Sequence, residues 1–430
     1  GTGFNGFDFH PDFGSNGLFY TAHNEFPGVV AADFTLQGRN SPSLQGVITE
    51  WKVEDPSANI WTGTRREVLR MDILGLLHGV QEIAFNKPAK PADADYGNLY
   101  ICFGDGGAFN DQHVNSAYRL DSLQGMILRI DPLGNNGKNG QYGIPADNPW
   151  ANDGDENTYG EIYARGFRNP HRISWDLGGT HQMFVGDIGE ENIEEVNMVE
   201  VGKHYGWPER EGTFLFKGFD GLGTRANVYP LPANDAENGF TYPVVQFDHD
   251  NPYDPNDNPH AATQTWLGIA GGYVYRGDAI PYLKGMYVFG EIVQGVVYYA
   301  PVADMIQGQV AQHKRLRIYD PSLTETTVFD LVDDFRCDFR LGEDRSGELY
   351  VFNKRDGVVR KMLPHPDLLE NGTWGGYPKD ANDDVNTGDF LGWLNVRRAP
   401  YPYSYSLNQW LYLPENQLSD NGAWLYVLNR

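Results

Sequence analysis

A short motif that returns along most of the chain limits what this sequence can fold into more than any other feature. Each copy sets alternating apolar residues before a turn of Asp, Asn or Gly, and then a run of the Leu-Tyr-Val type that stops at an acid. Phe7-Asp8-Phe9 leads to Gly17-Leu18-Phe19-Tyr20, and Ile83-Ala84-Phe85 to Gly97-Asn98-Leu99-Tyr100-Ile101. Ile173-Ser174-Trp175-Asp176 leads to Met183-Phe184-Val185-Gly186-Asp187; later come Gly285 to Phe289, and Phe339 to Asp344 with Gly347 to Val351. Period-2 apolar runs bounded by turn residues read as strands. A repeated strand pair cannot bury its apolar face alone and must stack on its neighbours. Closing such a stack into a ring gives an all-β propeller with only short exposed edges. A β-sandwich, the other all-β solution, predicts no repeat. Helical periodicity is nearly absent, with Glu191 to Val201 and Ala303 to Gln307 as the best short candidates. Uneven spacing leaves long loops at 104–118, 133–160 and 209–265, which in a ring cover one end and carry function.

The texture changes after Pro364-His365-Pro366. Residues 371–430 hold aromatic runs such as Tyr401-Pro402-Tyr403-Ser404-Tyr405 and Trp424-Leu425-Tyr426, with few cations. We therefore expect a propeller over 1–365 and a small aromatic-rich β-module over 366–430. Its aromatics suit either a small core or docking face, or a sugar-stacking platform. The formal net charge of -25 disfavours nucleic acid as a partner, because phosphates are repelled. No apolar run is long enough to span a bilayer, so an integral membrane protein is not expected. Cys102 and Cys337 are too few for a disulfide scaffold or a cysteine zinc site. Both lie in apolar stretches and read as small buried hydrophobes, with a disulfide between them as the alternative. Gly1 falls inside a patterned segment with no signal peptide, so removal of something upstream is expected.

Three clusters carry candidate chemistry. His78, in Leu77-His78-Gly79-Val80, stands just before a strand and faces one end of the ring or its central channel; a lone His is more often structural. Arg165, Arg168 and Arg172 crowd Glu161 to Arg172, where guanidinium forks suit a carboxylate ligand. The plainer reading pairs them with the chain's own surplus acids. The third, Gly186-Asp187-Ile188-Gly189-Glu190-Glu191-Asn192 with Glu194 and Glu195, offers the hard oxygens that calcium takes. Acid-rich loops are common in so acidic a chain, and those at Asp153 to Glu156 and Asp248 to Asp257 are weaker and fit no EF-hand spacing.

The order of these clusters carries a resemblance. With Phe9-His10-Pro11-Asp12-Phe13, Leu99 to Gly107 (LYICFGDGG), Leu123 to Asp131, Tyr142 to Pro149, Gly166-Phe167-Arg168-Asn169-Pro170, Tyr205-Gly206-Trp207-Pro208 and Gly272 to Gly277, the chain resembles the glucose/sorbosone dehydrogenase family from about Gly3 to Met362. These are soluble six-bladed propellers that use pyrroloquinoline quinone (PQQ). The resemblance implies that His78 is the base removing the anomeric hydroxyl proton, a role suited to imidazole. It implies that Arg168 and Asn169 contact the quinone and that the backbone carbonyls of Gly189 and Glu190 hold calcium beneath it. It further implies that Glu195 and Tyr205 belong to a second calcium site. The family's last blade carries Arg-x-Arg-Asp; here Phe335-Arg336-Cys337-Asp338 stands in its place, with Phe and Cys at the arginine positions. Val293 replaces a lysine that some members use. Arg165, Arg336 or Arg340 would then have to supply the missing cations.

The leading expectation is a secreted or periplasmic quinoprotein. It would oxidise an aldose or the reducing end of an oligosaccharide to a lactone and pass electrons to an external acceptor such as a cytochrome or quinone. The alternatives are a non-catalytic, calcium-binding propeller that holds glycan or protein partners, and, less favoured, a calcium-dependent lactonase.

Overall fold

The computed structural model describes residues 2–36, 41–107, 116–219, 226–249, 268–334, 336–365, 373–374, 377–379, 382–387, 391–415 and 425–427. Phe335, residues 250–257, residues 108–115 and Trp424, all singled out from the sequence, lie outside them. The described residues build five radial antiparallel sheets. The first is β1 (Gly3–Phe9), β2 (Leu18–Glu25), β3 (Leu44–Val53) and β4 (Gly63–Ile73), paired in that order. The second is β5 (Val80–Phe85), β6 (Leu99–Phe103), β7 (Met126–Ile130) and β8 (Ile162–Arg165). The third runs β9 (Pro170–Trp175), β10 (Met183–Asp187) and β11 (Ile193–Val199). A small sheet of β12 (Arg210–Glu211), β13 (Phe214–Phe219) and β14 (Ala226–Tyr229) intervenes before its fourth strand, β15 (Val245–Asp248). The fourth is β16 (Ile269–Val274), β17 (Met286–Glu291), β18 (Val297–Pro301) and β19 (Lys314–Arg315). After the hairpin β20 (Ile318–Tyr319) and β21 (Glu325–Thr326) comes the fifth, β22 (Phe339–Glu343), β23 (Leu349–Asn353) and β24 (Val359–Lys361). First strands of successive sheets pack side by side, β1 on β5, β5 on β9, β9 on β16 and β16 on β22. This is a propeller, with those strands around its axis. Each repeat recognised in the sequence lies on the first two strands of a sheet or, for Gly285 to Phe289, on the second.

The alternation of side chains explains why central strands read as unbroken apolar runs. In β6, Leu99, Ile101 and Phe103 pack into the core shared with the first sheet, while Tyr100 and Cys102 pack into the core shared with the third. In β10, Met183 and Val185 join the latter core and Phe184 the next one round. In β17, Tyr287 and Phe289 face the third sheet and Val288 the fifth. Successive side chains point to opposite faces, and here both faces are buried. Cys102 and Cys337 are buried free thiols in two different cores.

The segment Glu191 to Val201, one of the two short helical candidates, instead holds strand β11 (Ile193–Val199); the other, Ala303 to Gln307, overlaps only a single 3-10 turn, Val302–Asp304. Its acids, read as candidate calcium oxygens, have protein partners: Glu194 accepts from the Ile269 amide at 2.6 Å and pairs with His249, and Glu195 accepts from the Gly212 amide at 2.6 Å. The region 209–265, expected to be loop, contributes four strands. Near the C-terminus, short strands pair as β25 (Thr373–Trp374) with β26 (Tyr377–Pro378). A five-stranded sheet follows: β27 (Asp384–Asn386), β28 (Trp393–Asn395), β29 (Tyr403–Ser404), β30 (Gln409–Tyr412) and β31 (Tyr426–Val427). Trp374, Val385, Leu394, Val396, Leu411 and Leu413 form a core of their own there.

Candidate active site

In an up-and-down sheet, the residues entering the first strand and those leaving the second meet at the same end. That geometry puts His78 (before β5), Asp105 (after β6), Arg168 and Asn169 (before β9) and residues 188–192 (after β10) on one rim. Backbone hydrogen bonds stitch it: Gly104 N donates to Gly79 O at 3.0 Å, Asp105 N to Arg168 O at 2.8 Å, and Ile188 N to Asn169 O at 3.2 Å.

His78 adopts a left-handed backbone, φ 51°, which a non-glycine residue seldom takes. Its Nδ1 lies 2.8 Å from Asp105 Oδ1. Asp105 is 1% exposed and its carboxylate also accepts from Trp207 Nε1 at 2.9 Å and the Gly107 amide at 2.8 Å. Burial pushes the Asp105 pKa up, but the charge and hydrogen bond of His78 outweigh it and leave the carboxyl below its usual range. An ionised Asp105 accepts the Nδ1–H of His78, leaving Nε2 as the nitrogen free to accept a proton.

Arg168 stretches across the rim. Its Nε donates to Glu190 Oε2 at 2.7 Å, its Nη1 to Ile188 O at 3.0 Å, and its guanidinium lies 5.8 Å from the Trp207 ring centre. Asp187 holds the backbone here, accepting from the Arg168 amide at 3.0 Å and the Asn169 amide at 2.6 Å. Burial, then Glu195, raise the Asp187 pKa well above normal. Asn169 is 6% exposed, yet its Oδ1 has no partner. Gly104 floors the space between: a methyl there would sit 2.8 Å from His78 Cβ and 2.9 Å from Asn169 Oδ1. Only glycine leaves that gap open.

The loop after β10 is organised by Glu211. Its Oε1 accepts from the amides of Glu190 (2.8 Å), Glu191 (3.2 Å), Asn192 (2.9 Å) and Ile193 (3.1 Å), and its Oε2 from Asn192 Nδ2 at 2.8 Å. Successive amides converging on one oxygen form an anion nest, filled here by the chain's own carboxylate. Gly189 is required beside it, since a methyl would meet Ile193 O at 2.0 Å.

Of the residues singled out from the sequence, His78, Arg168, Asn169, Gly189 and Glu190 come together on this rim. Arg165 does not: its Nη1 donates to Tyr118 O at 2.7 Å and it stacks over Tyr118 and Trp150. Arg336 is paired with Asp338 at 2.5 Å, and Cys337 is fully buried against Asn353. Glu195 and Tyr205 have separate partners; the Tyr205 hydroxyl donates to Met198 O and accepts from the Glu200 amide, both at 2.9 Å. Burial raises the Glu195 pKa to about 7. Among the described residues no three His, Cys, Asp or Glu side chains are grouped to hold a metal ion. Backbone carbonyls at Gly189 and Glu190 remain the nearest candidates for a hard cation. Sequence reasoning missed Asp105, Trp207 and Glu211, although Asp105 and Trp207 lie within the FGDGG and Tyr-Gly-Trp-Pro stretches; Asp187, placed in the candidate calcium loop, instead holds the backbone at Arg168 and Asn169.

The family model for Glucose / Sorbosone dehydrogenase matches residues 1–320. The chain belongs to that family. Among curated relatives, the HIPL2 protein of Arabidopsis thaliana is 29% identical over 330 residues, covering 69% of this chain. The aligned stretch spans 43% of that relative's length. A solved glucose dehydrogenase superposes with a TM-score of 0.56 at 19% identity, over 84% of this chain and 82% of the other. The PQQ-bound aldose sugar dehydrogenase of Streptomyces coelicolor gives a TM-score of 0.50 at 18% identity, over 84% and 80%. Both likenesses establish the shared fold. Among the described residues no helix is long and apolar enough to cross a membrane.

Proposed function

We propose that this member of the sugar dehydrogenase family oxidises the anomeric carbon of an aldose to a lactone, with PQQ and calcium at the rim just described. The observation that carries the reading is the His78–Asp105 pair at 2.8 Å, beside an unpartnered Asn169 Oδ1 and an open floor at Gly104. A flat ring system with carbonyl and carboxylate edges suits that space: Asn169 and Arg168 offer polar contacts, and Trp207 closes one side. Bound PQQ would supply the two-electron acceptor for the hydride leaving the anomeric carbon. His78 Nε2 would take the hydroxyl proton, and Asp105 would hold the ring in the required tautomer and stabilise the imidazolium. The carbonyls of Gly189 and Glu190 would hold calcium. The sugar, an acceptor such as a cytochrome or quinone, and a secreted or periplasmic setting complete the proposal.

A second reading, a propeller that holds glycan or protein without catalysis, is favoured by buried Cys337 at a position where the family carries arginine. Calorimetry with PQQ in calcium buffer separates the two, followed by dye reduction with a panel of aldoses. The first reading expects saturable PQQ binding and activity that His78→Asn abolishes. Absence of PQQ binding at micromolar concentrations would remove it.

A further inference from the structure

Away from the rim, the core between the fourth and fifth sheets does not close at its margin. The fourth sheet finishes in the two-residue β19, and among the described residues the fifth has three strands where the other blades have four. The chain between β19 and β22 makes the hairpin of β20 and β21 and a short helix, Val328–Val332, in place of a further blade strand. These elements enclose a cavity of about 990 Å³. Ile280, Leu283, Val328 and Val351, all members of the packed core, line its deep side. Half-buried Tyr282, Tyr299, Leu316 and Leu331 line it nearer the surface. Small-molecule sites span about 300–1,000 Å³ and have mainly apolar walls with a few polar groups, so this recess has the size and texture of one.

The polar part of the lining is one-sided. Arg315, Arg317, Arg360 and Lys361 bring four cations, and Asp320 is the one carboxylate among the described lining residues, in a chain of net charge -25. Asp320 is engaged by its own turn, accepting from the amides of Ser322 at 2.8 Å and Thr324 at 2.9 Å. Arg360 donates Nη2 to Asp356 at 2.6 Å, while its Nη1 has no partner. Arg317 is 71% exposed and stands 3.5 Å from Glu325. A neutral lipid would gain nothing from these cations, and a small anion would gain nothing from the apolar recess. A ligand that uses both has an extended apolar body and one anionic end.

We infer that this cavity binds the anion of a long-chain fatty acid, its alkyl chain lying between the fourth and fifth sheets and its carboxylate met by the arginines of the margin. A guanidinium fork suits that head group. The site is separate from the sugar dehydrogenase reading, because none of its residues belongs to the His78 rim.

The test uses the whole 430-residue chain without PQQ, and reads calorimetry and thermal melting with octanoate, decanoate, dodecanoate and tetradecanoate below their micelle concentrations. Affinity should rise about fourfold per added methylene until the recess is full. Dodecanol has the same chain without the charge and should bind about tenfold more weakly than dodecanoate. Arg360→Gln should lose about tenfold for dodecanoate and little for dodecanol. Leu331→Trp, which fills the recess, should abolish binding of both, and dodecanoate should raise the melting temperature of the wild type but not of this variant. If Leu331→Trp fails to fold, the exposed pair Arg317→Glu with Lys361→Glu keeps the test, since it should weaken dodecanoate and spare dodecanol. Affinity that does not grow with chain length, equal binding of dodecanol and dodecanoate, or dodecanoate affinity unaltered in both Arg360→Gln and the folded second variant would overturn the inference.

Discussion

Glu211→Gln tests whether the loop behind the candidate cation site is held by one carboxylate. Four amides, from Glu190 to Ile193, converge on Glu211 Oε1 within 3.2 Å. Glutamine keeps the length and one oxygen but removes the charge. A hydrogen bond to a charged acceptor contributes about 1.5–3 kcal/mol against about 0.5–1.5 for a neutral one. Four donors sharing one oxygen are not additive, so we take the net loss as ~2–3 kcal/mol. At about 1.4 kcal/mol per factor of ten, the amides of 190–193 should exchange roughly 30 to 150 times faster. Hydrogen-exchange mass spectrometry on peptides spanning the loop reads this directly, with peptides from β3 and β4 as an unaffected control. Because Glu190 also anchors Arg168, binding of any rim ligand should weaken in the same variant. Unchanged protection at 190–193 in a folded Glu211→Gln protein would refute the reasoning.

Gly104→Ala should weaken ligand binding at the rim and also lower stability, because its methyl meets the His78 backbone oxygen at 2.6 Å as well as Asn169 Oδ1 at 2.9 Å; calorimetry and a melting curve read the two effects. Trp207→Phe removes the Nε1 donor to a buried Asp105 oxygen, and should lower stability by about 1–3 kcal/mol in a denaturant titration. Glu343, whose pKa is raised from 4.5 to about 8 by burial and then by Asp176 and Asp344, should make stability fall as pH rises from about 4.5 to about 8. In that window the folded state keeps a proton that the unfolded chain releases. Glu343→Gln should flatten the fall, by about 1–2 kcal/mol once solvent screening is allowed for.

The architecture was legible because its repeat is local: a strand, a turn and a second strand recur within a short stretch. Segment 191–201 suggests a short helix as text, but it forms β11, whose Glu194 and Glu195 are buried against partners supplied by residues 212, 249 and 269, contacts that no local pattern displays. Likeness to a family located His78, Arg168 and Asn169. It did not reveal that Asp105 orients His78 from 27 positions away, or that Glu211 secures the loop at Gly189. Arg165 and Arg168, three residues apart, looked equivalent as text. In space Gly166 and Phe167 turn the chain between them, sending one toward Tyr118 and the other across the rim.

The strands whose two sides serve two cores have a consequence for how such a molecule changes over time. A swap of size within β6 or β10 is felt by both adjoining sheets, and its disturbance travels around the hub like a warped stave in a cask. Rim loops escape that constraint, since their side chains project past the last packed layer. Innovation is therefore channelled to one end of the ring, where loops can change while the wheel beneath keeps its shape.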